Sequence, residues 1–160
     1  MWGQKKPEKE YFKELFRVSK NQIIWGGNYF TDELPISRGW IVWDKLNEDS
    51  PFADCELAWT NVLTSVRKFT FRWSGMLQGD MKNKETRIHP TQKPVALYNW
   101  IFKNYATVGQ KLLDTHLGSG SSRIAAEKYG LDFTGFEIEK EYFDKQEQRY
   151  RDFISQTTLF

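Results

Sequence analysis

Residues 111–137 read KLLDTHLGSGSSRIAAEKYGLDFTGFE, and this stretch decides the fold. The apolar run 111–114 (KLLD) has the length of a short strand and ends at Asp114. Gly118-Ser119-Gly120 follows as a turn, residues 121–129 (SSRIAAEKY) carry a helical pattern, and Gly130 stops it. Residues 132–137 (DFTGFE) form the next strand, with Glu137 at its tip, seventeen positions after Gly120. Strand, glycine turn, helix, strand is the unit of a parallel sheet. Its plan suits a nucleoside-bearing ligand at the carboxyl ends of the strands. Glycines let the backbone approach a ligand, and the start of a helix offers N–H groups. An acidic side chain there accepts hydrogen bonds from ribose hydroxyls. Arg123 stands where the dinucleotide fingerprint has a third glycine beneath a pyrophosphate, which argues against NAD or FAD. A nucleoside without phosphates fits, and S-adenosylmethionine is such a ligand. A tight turn with no ligand is the plain alternative.

Just upstream, residues 93–105 (KPVALYNWIFKNY) read as a helix with Pro94 near its first turn and Leu97, Trp100 and Ile101 on one face. Before it lies His89-Pro90-Thr91-Gln92-Lys93-Pro94, where Thr91 and Lys93 are placed to hold a carboxylate beside a helix start. Downstream, residues 139–153 form a charged helix with Tyr142 and Phe143 facing inward. The first half is more strand-rich. A helix follows Pro7, with Phe12, Leu15, Phe16 and the nearby Val18 giving an apolar face. Strands are expected at 22–25 (QIIW), 39–43 (GWIVW), 56–59 (ELAW) and 66–73 (VRKFTFRW). Residues 74–87 (SGMLQGDMKNKETR) read as a polar, irregular excursion.

With 160 residues, the chain suits one domain, and a single domain over 1–160 is expected. Hydrophobic residues at 39% against 28% charged exclude a disordered charged tail. Mean hydropathy is −0.66, and no apolar run approaches the roughly 18 residues of a membrane span. The start, MWGQKKPEKEYF, has no apolar core, so no signal peptide is expected. The single cysteine, Cys55, excludes a disulfide framework and a multi-cysteine metal site, and a cytoplasmic, reducing location is expected. A formal charge of +2 neither demands nor forbids nucleic acid. Aromatics at 16% are high; most must be core, and an excess could form a surface for stacking on bases.

Three blocks in one order carry a resemblance. Residues 89–94 (HPTQKP), 113–122 (LDTHLGSGSS) and 134–139 (TGFEIE) are similar to the motif before the cofactor helix, the cofactor loop and the acidic strand end of the β-type DNA amino-methyltransferases. The run from Tyr11 to Lys45, with FRVSKNQIIWGGNYF and GWIVWDK, and residues 52–60 (FADCELAWT) resemble the adenine-modifying, often phage-borne, branch. The resemblance covers nearly the whole chain. It implies an α/β, Rossmann-like, S-adenosylmethionine-dependent methyltransferase fold, a mixed sheet with helices on both faces and a permuted motif order. It implies methyl transfer from S-adenosyl-L-methionine to adenine N6 in DNA, as in restriction-modification. The cofactor residues would be Thr91, Lys93, Asp114, His116, Gly118, Ser119, Gly120, Ser121 and Glu137. Trp25, Asn28 and Tyr29 would border the target base. Lys82, Lys84 and Arg87, on an excursion over 74–88, would meet double-stranded DNA, helped by Arg67, Lys68 and Arg72. A homodimer is a further candidate assembly; no metal and no membrane partner are expected.

Two departures qualify this. His116 replaces an aromatic wall of the family's D-P-F loop. The D-P-P-Y tetrapeptide, which orients the target amine after an apolar strand, has no counterpart; Asp49-Ser50-Pro51-Phe52 follows a polar stretch instead. These 160 residues are therefore expected to methylate DNA poorly or not at all by themselves. A non-catalytic module that binds S-adenosylmethionine or DNA and partners an active homologue is the alternative. A small-molecule methyltransferase is the weakest reading.

Overall fold

The computed structural model describes residues 6–47 and 50–157, so Asp49 of the D-S-P-F match lies outside the described residues. The chain forms two compact units, one up to Gly79 and one from Asp80.

The first unit opens with helix α1 (Lys9–Val18), which buries Phe12. Strands β1 (Ile23–Trp25), β2 (Gly39–Asp44), β3 (Cys55–Thr60) and β4 (Val66–Thr70) follow. They form a mixed sheet in the order β1-β3-β2-β4; β3 is antiparallel to β1 and β2, and β4 is parallel to β2. Alternation along β2 sends Ile41 and Trp43 into the core, both fully buried. Much of this core is aromatic: Trp25 and Trp73 both lie 6.5 Å from Trp43, and Phe16 lies 5.9 Å from Trp59. The buried indole N–H groups find acceptors, Trp43 on Phe71 O at 3.1 Å and Trp59 on Pro35 O at 2.9 Å.

The expected fourth strand is shorter than its alternating pattern. Its partner β2 stops at Asp44, whose carboxylate accepts the Leu46 N–H at 3.0 Å, while Leu46 takes a positive φ of 50° and turns the chain away. Beyond Thr70, Trp73 pairs with Gln78 in a hairpin of β5 (Trp73–Ser74) and β6 (Leu77–Gln78). Part of the expected irregular excursion is therefore ordered, turned at Gly75 with φ 53°.

The second unit contains α2 (Val95–Tyr105), β7 (Lys111–Asp114), α3 (Ser121–Tyr129), β8 (Asp132–Gly135) and α4 (Lys140–Thr157). β7 and β8 are parallel, from Lys111 beside Asp132 to Asp114 beside Gly135, and α3 is their crossover. α2 packs on α3: Leu97, Ile101 and Phe102 are buried on one, and Ile124, Ala125 and Ala126 on the other. The small alanines let the helices approach closely. β8 ends two residues before its expected end, at Gly135. On α4 the inward residue is Gln146, 1% exposed, whereas Phe143 faces solvent at 41% exposure. No described helix is long and apolar enough to cross a membrane.

Candidate cofactor site around the glycine loop

The parallel pair brings the ends of β7 and β8 together, and the loop between β7 and α3 folds over them. Gly118 and Gly120 both take left-handed backbone angles, φ 54° and 74°, which a side chain would oppose. Glu137 turns back onto this loop. Its Oε2 accepts the Gly118 N–H at 2.8 Å and its Oε1 accepts the Glu139 N–H at 3.0 Å. Asp114 organises the other side, accepting the His116 N–H at 3.0 Å and the Ser122 hydroxyl at 2.5 Å. The acidic groups expected to meet a ligand thus also hold the loop. Ser119 and Ser121 are buried, with their hydroxyls 3.1 Å apart. His116 is exposed, 3.0 Å from the Thr115 hydroxyl.

His89 reaches the loop from the segment before α2. A side chain built on Gly118 would meet the His89 ring at 3.7 Å. The ring also packs edge-on against Tyr142, 4.3 Å between centroids, and its Nδ1 accepts the Thr91 N–H at 3.2 Å. Glu137 and Lys93 are both close enough to act on its charge. Thr91 and the glycine loop that Glu137 braces therefore meet at His89, and Lys93 lies four residues further along the same segment.

Burial holds the His89 imidazole below its ordinary value of 6.5; Glu137 opposes this and Lys93 adds to it. The unfolded chain then takes up the proton first. Stability from this group is complete above 6.5 and is lost as pH falls below it. Urea unfolding followed from about pH 8 to about pH 5.5 should show this loss, and His89→Gln should flatten it. An unchanged slope in that variant would mean that other groups cause it.

Several residues here had no sequence signal. Arg149 of α4 donates to Ser119 O and to the Ser121 hydroxyl, both at 2.9 Å, and to Glu85 Oε2 at 2.8 Å. Gln146 lies against Gly120, where an added Cβ would come within 3.1 Å of its Oε1. Arg123, at the missing third glycine, turns to α4, where it pairs with Glu147 and lies 3.7 Å from the Tyr150 ring centre.

The remaining candidates are placed as follows. Trp25 is half-buried on β1, and Asn28 and Tyr29 lie on the turn Gly27–Tyr29, with Tyr29 75% exposed. Lys82, Lys84 and Arg87 are all exposed. Asp80 shapes their segment by accepting the Lys82 and Asn83 N–H groups, both at 3.1 Å. Among the described residues no group of His, Cys, Asp and Glu could hold a metal ion.

Comparison with known proteins places the chain in a family and a fold. Residues 2–148 match a family model described as DNA methylase. The type II methyltransferase M2.DpnII of Streptococcus pneumoniae is 28% identical over 141 residues, 88% of this chain and 46% of that protein. M2.LlaDCHI of Lactococcus lactis subsp. cremoris is 26% identical over 148 residues, 92% of this chain and 48% of that protein. The chain thus spans about half the length of these relatives. Among solved structures, the M1.HpyAVI–SAM complex superposes with a TM-score of 0.66 at 23% identity, over 90% of this chain and 83% of that one. A DNA modification methylase of Thermus thermophilus, solved with S-adenosyl-L-methionine and described as putative, superposes with 0.60 at 16% identity, over 91% of this chain and 75% of that one. The α/β, Rossmann-like methyltransferase fold is the one the sequence resemblance implied.

Proposed function

This chain belongs to the DNA methylase family, and on that premise we propose that it holds S-adenosyl-L-methionine for methyl transfer to adenine N6 in double-stranded DNA, these 160 residues by themselves transferring methyl poorly or not at all for want of the groups that orient the amine. The observation that carries the cofactor is Glu137. An ionised carboxylate has about four acceptor positions, and the two backbone N–H groups use two of them. The others remain for the two ribose hydroxyls, with the carboxylate already aimed. Bound there, S-adenosyl-L-methionine supplies a sulfonium methyl.

The chain's own groups fit the rest of that ligand. Lys93 and Thr91 supply charge and a hydroxyl for its carboxylate. Asp114 offers a negative charge to its ammonium group while holding the loop. Gly118, Ser119, Gly120 and Ser121 would form the wall, and the start of α3 offers its first N–H groups there. His116 closes the wall on its exposed side. In the first unit, Tyr29 presents an exposed ring on which a flipped base would stack, worth roughly 1–3 kcal/mol, beside Trp25 and Asn28. Lys82, Lys84 and Arg87 would touch phosphate and so position the duplex without reading its sequence.

Affinity for mixed-sequence duplex DNA should fall steeply with salt. Replacing Lys82, Lys84 and Arg87 together by alanine should lower the slope by about 0.9 for each phosphate that these side chains neutralise. Any tritium passed from S-adenosyl-L-methionine to DNA should appear in N6-methyladenine. Salt-independent binding would remove DNA as the partner, and label in N4-methylcytosine would change the target base.

A further inference from the structure

The glycine loop is fastened from behind by an ion pair that is mostly out of solvent: the Arg149 and Glu85 side chains are 17% and 18% exposed. Arg149 divides its fork among three acceptors, Ser119 O, the Ser121 hydroxyl and Glu85 Oε2. Glu85 is shared in turn. Its Oε1 accepts the Val95 N–H at 2.8 Å, satisfying the first turn of α2. Pro94, the residue before that helix, makes no capping bond of its own, so a carboxylate ten positions upstream acts as the cap and meets the positive end of the helix. Gln92 lies within the same segment, donating to Thr86 O at 3.2 Å and accepting the Ile88 N–H at 2.9 Å. One guanidinium therefore joins three pieces: the start of α2 with the HPTQKP segment, the inward face of α4, and the two serines of the glycine loop.

We infer that Arg149 is a positioning residue: paired with Glu85, it clamps the glycine loop in its ligand-ready shape and ties that shape to the segment carrying Thr91 and Lys93. The inference deepens the proposed cofactor site and rests on it only for the identity of the ligand. Its reach is fixed by geometry. Ser119 O is drawn toward Arg149, which sets the peptide between the two left-handed glycines. The Ser121 hydroxyl, at the first position of α3, is held by the same group. A lysine has no planar fork and cannot serve all three acceptors at once. Burial raises the cost of breaking the pair, because removing either partner leaves the other charge out of water without compensation; the loop feels Arg149 directly and Glu85 only through it.

Amide hydrogen exchange on the ligand-free chain tests the clamp directly. In Arg149→Lys, amides of residues 117–122 should exchange about tenfold faster or more, while those in the middle of α2, residues 98–102, keep their parent rates. Glu85→Gln keeps an acceptor for Val95 but loses the charge, and should speed the same loop amides by a smaller factor, about threefold to fivefold. Affinity for S-adenosylhomocysteine, measured by calorimetry, should fall about tenfold in Arg149→Lys. Its loss should be less than additive with that of Ser121→Ala, because both act through one contact. Loop rates within twofold of the parent in both variants would overturn the clamp, as would a uniform rise over the whole second unit. If the loop responds as expected but the parent chain binds no S-adenosylhomocysteine, the clamp stands and the assignment of its ligand falls.

Discussion

Glu137→Ala is expected to weaken S-adenosylhomocysteine binding by about 1–3 kcal/mol, roughly 5-fold to 150-fold, because it removes a charged acceptor from two hydroxyls. The structure adds a second route to the same loss. Without the carboxylate, the Gly118 and Glu139 N–H groups lose their partners, so the loop that would receive the ligand is also released. Glu137→Gln separates the two routes. The amide keeps one acceptor oxygen but turns an NH2 group toward one of the two backbone donors. If direct acceptance by the hydroxyls dominates, the glutamine variant should recover part of the affinity; if loop support dominates, it should behave like alanine. Calorimetry on the three proteins distinguishes these outcomes. Unchanged affinity in the alanine variant would reject Glu137 as the ribose acceptor.

The second unit was largely legible because its elements are short and punctuated. Gly130 ends α3 where the pattern places it, and the expected β7 is the observed Lys111–Asp114. Glu137 could be picked out because an acidic residue at that distance from a glycine loop has a chemical use. Arg149 and Glu85 could not be picked out in this way. They are 64 positions apart, and each lies in a charged stretch that reads as solvated surface. The inward face of α4 carries Tyr142, Gln146, Arg149 and Phe153, a stripe at helical spacing that is half polar. A search for apolar residues alone stops at Tyr142 and then takes Phe143, which lies off that stripe. The overlong fourth strand has a related cause. Alternation in 66–73 records which side chains face inward, but the strand's length is set by β2, which ends at Asp44.

The largest stability loss is expected from Gly39→Ala. Gly39 opens β2 opposite Thr60 of β3 and needs no unusual backbone angle; its constraint is space. A Cβ there would lie 2.3 Å from Leu63 O and 2.8 Å from Thr60 O. Both are main-chain oxygens, so relief requires moving the end of β3 and the turn after it. That corner is bound on several sides. The Ser37 hydroxyl accepts the Gly39 N–H at 2.9 Å and donates to Thr60 O at 2.6 Å. Thr60, fully buried, donates its own hydroxyl to Gln22 O at 2.7 Å, tying in the residue before β1. Shifting Thr60 therefore disturbs β1, β2 and β3 together. Overpacking costs roughly 1–3 kcal/mol when side chains can adjust, and a main-chain clash belongs at the upper end or beyond, about 3 kcal/mol or more. At about 2–4 °C per kcal/mol for a chain this size, the melting temperature should fall by roughly 6–12 °C. Gly109→Ala is the control. Gly109 has φ 82° and open space around its missing Cβ, so it should cost only the left-handed backbone penalty, about 1–2 kcal/mol. Thermal unfolding of both variants decides the matter: if Gly39→Ala melts no lower than Gly109→Ala, the sheet corner has room that the close approach at Gly39 denies.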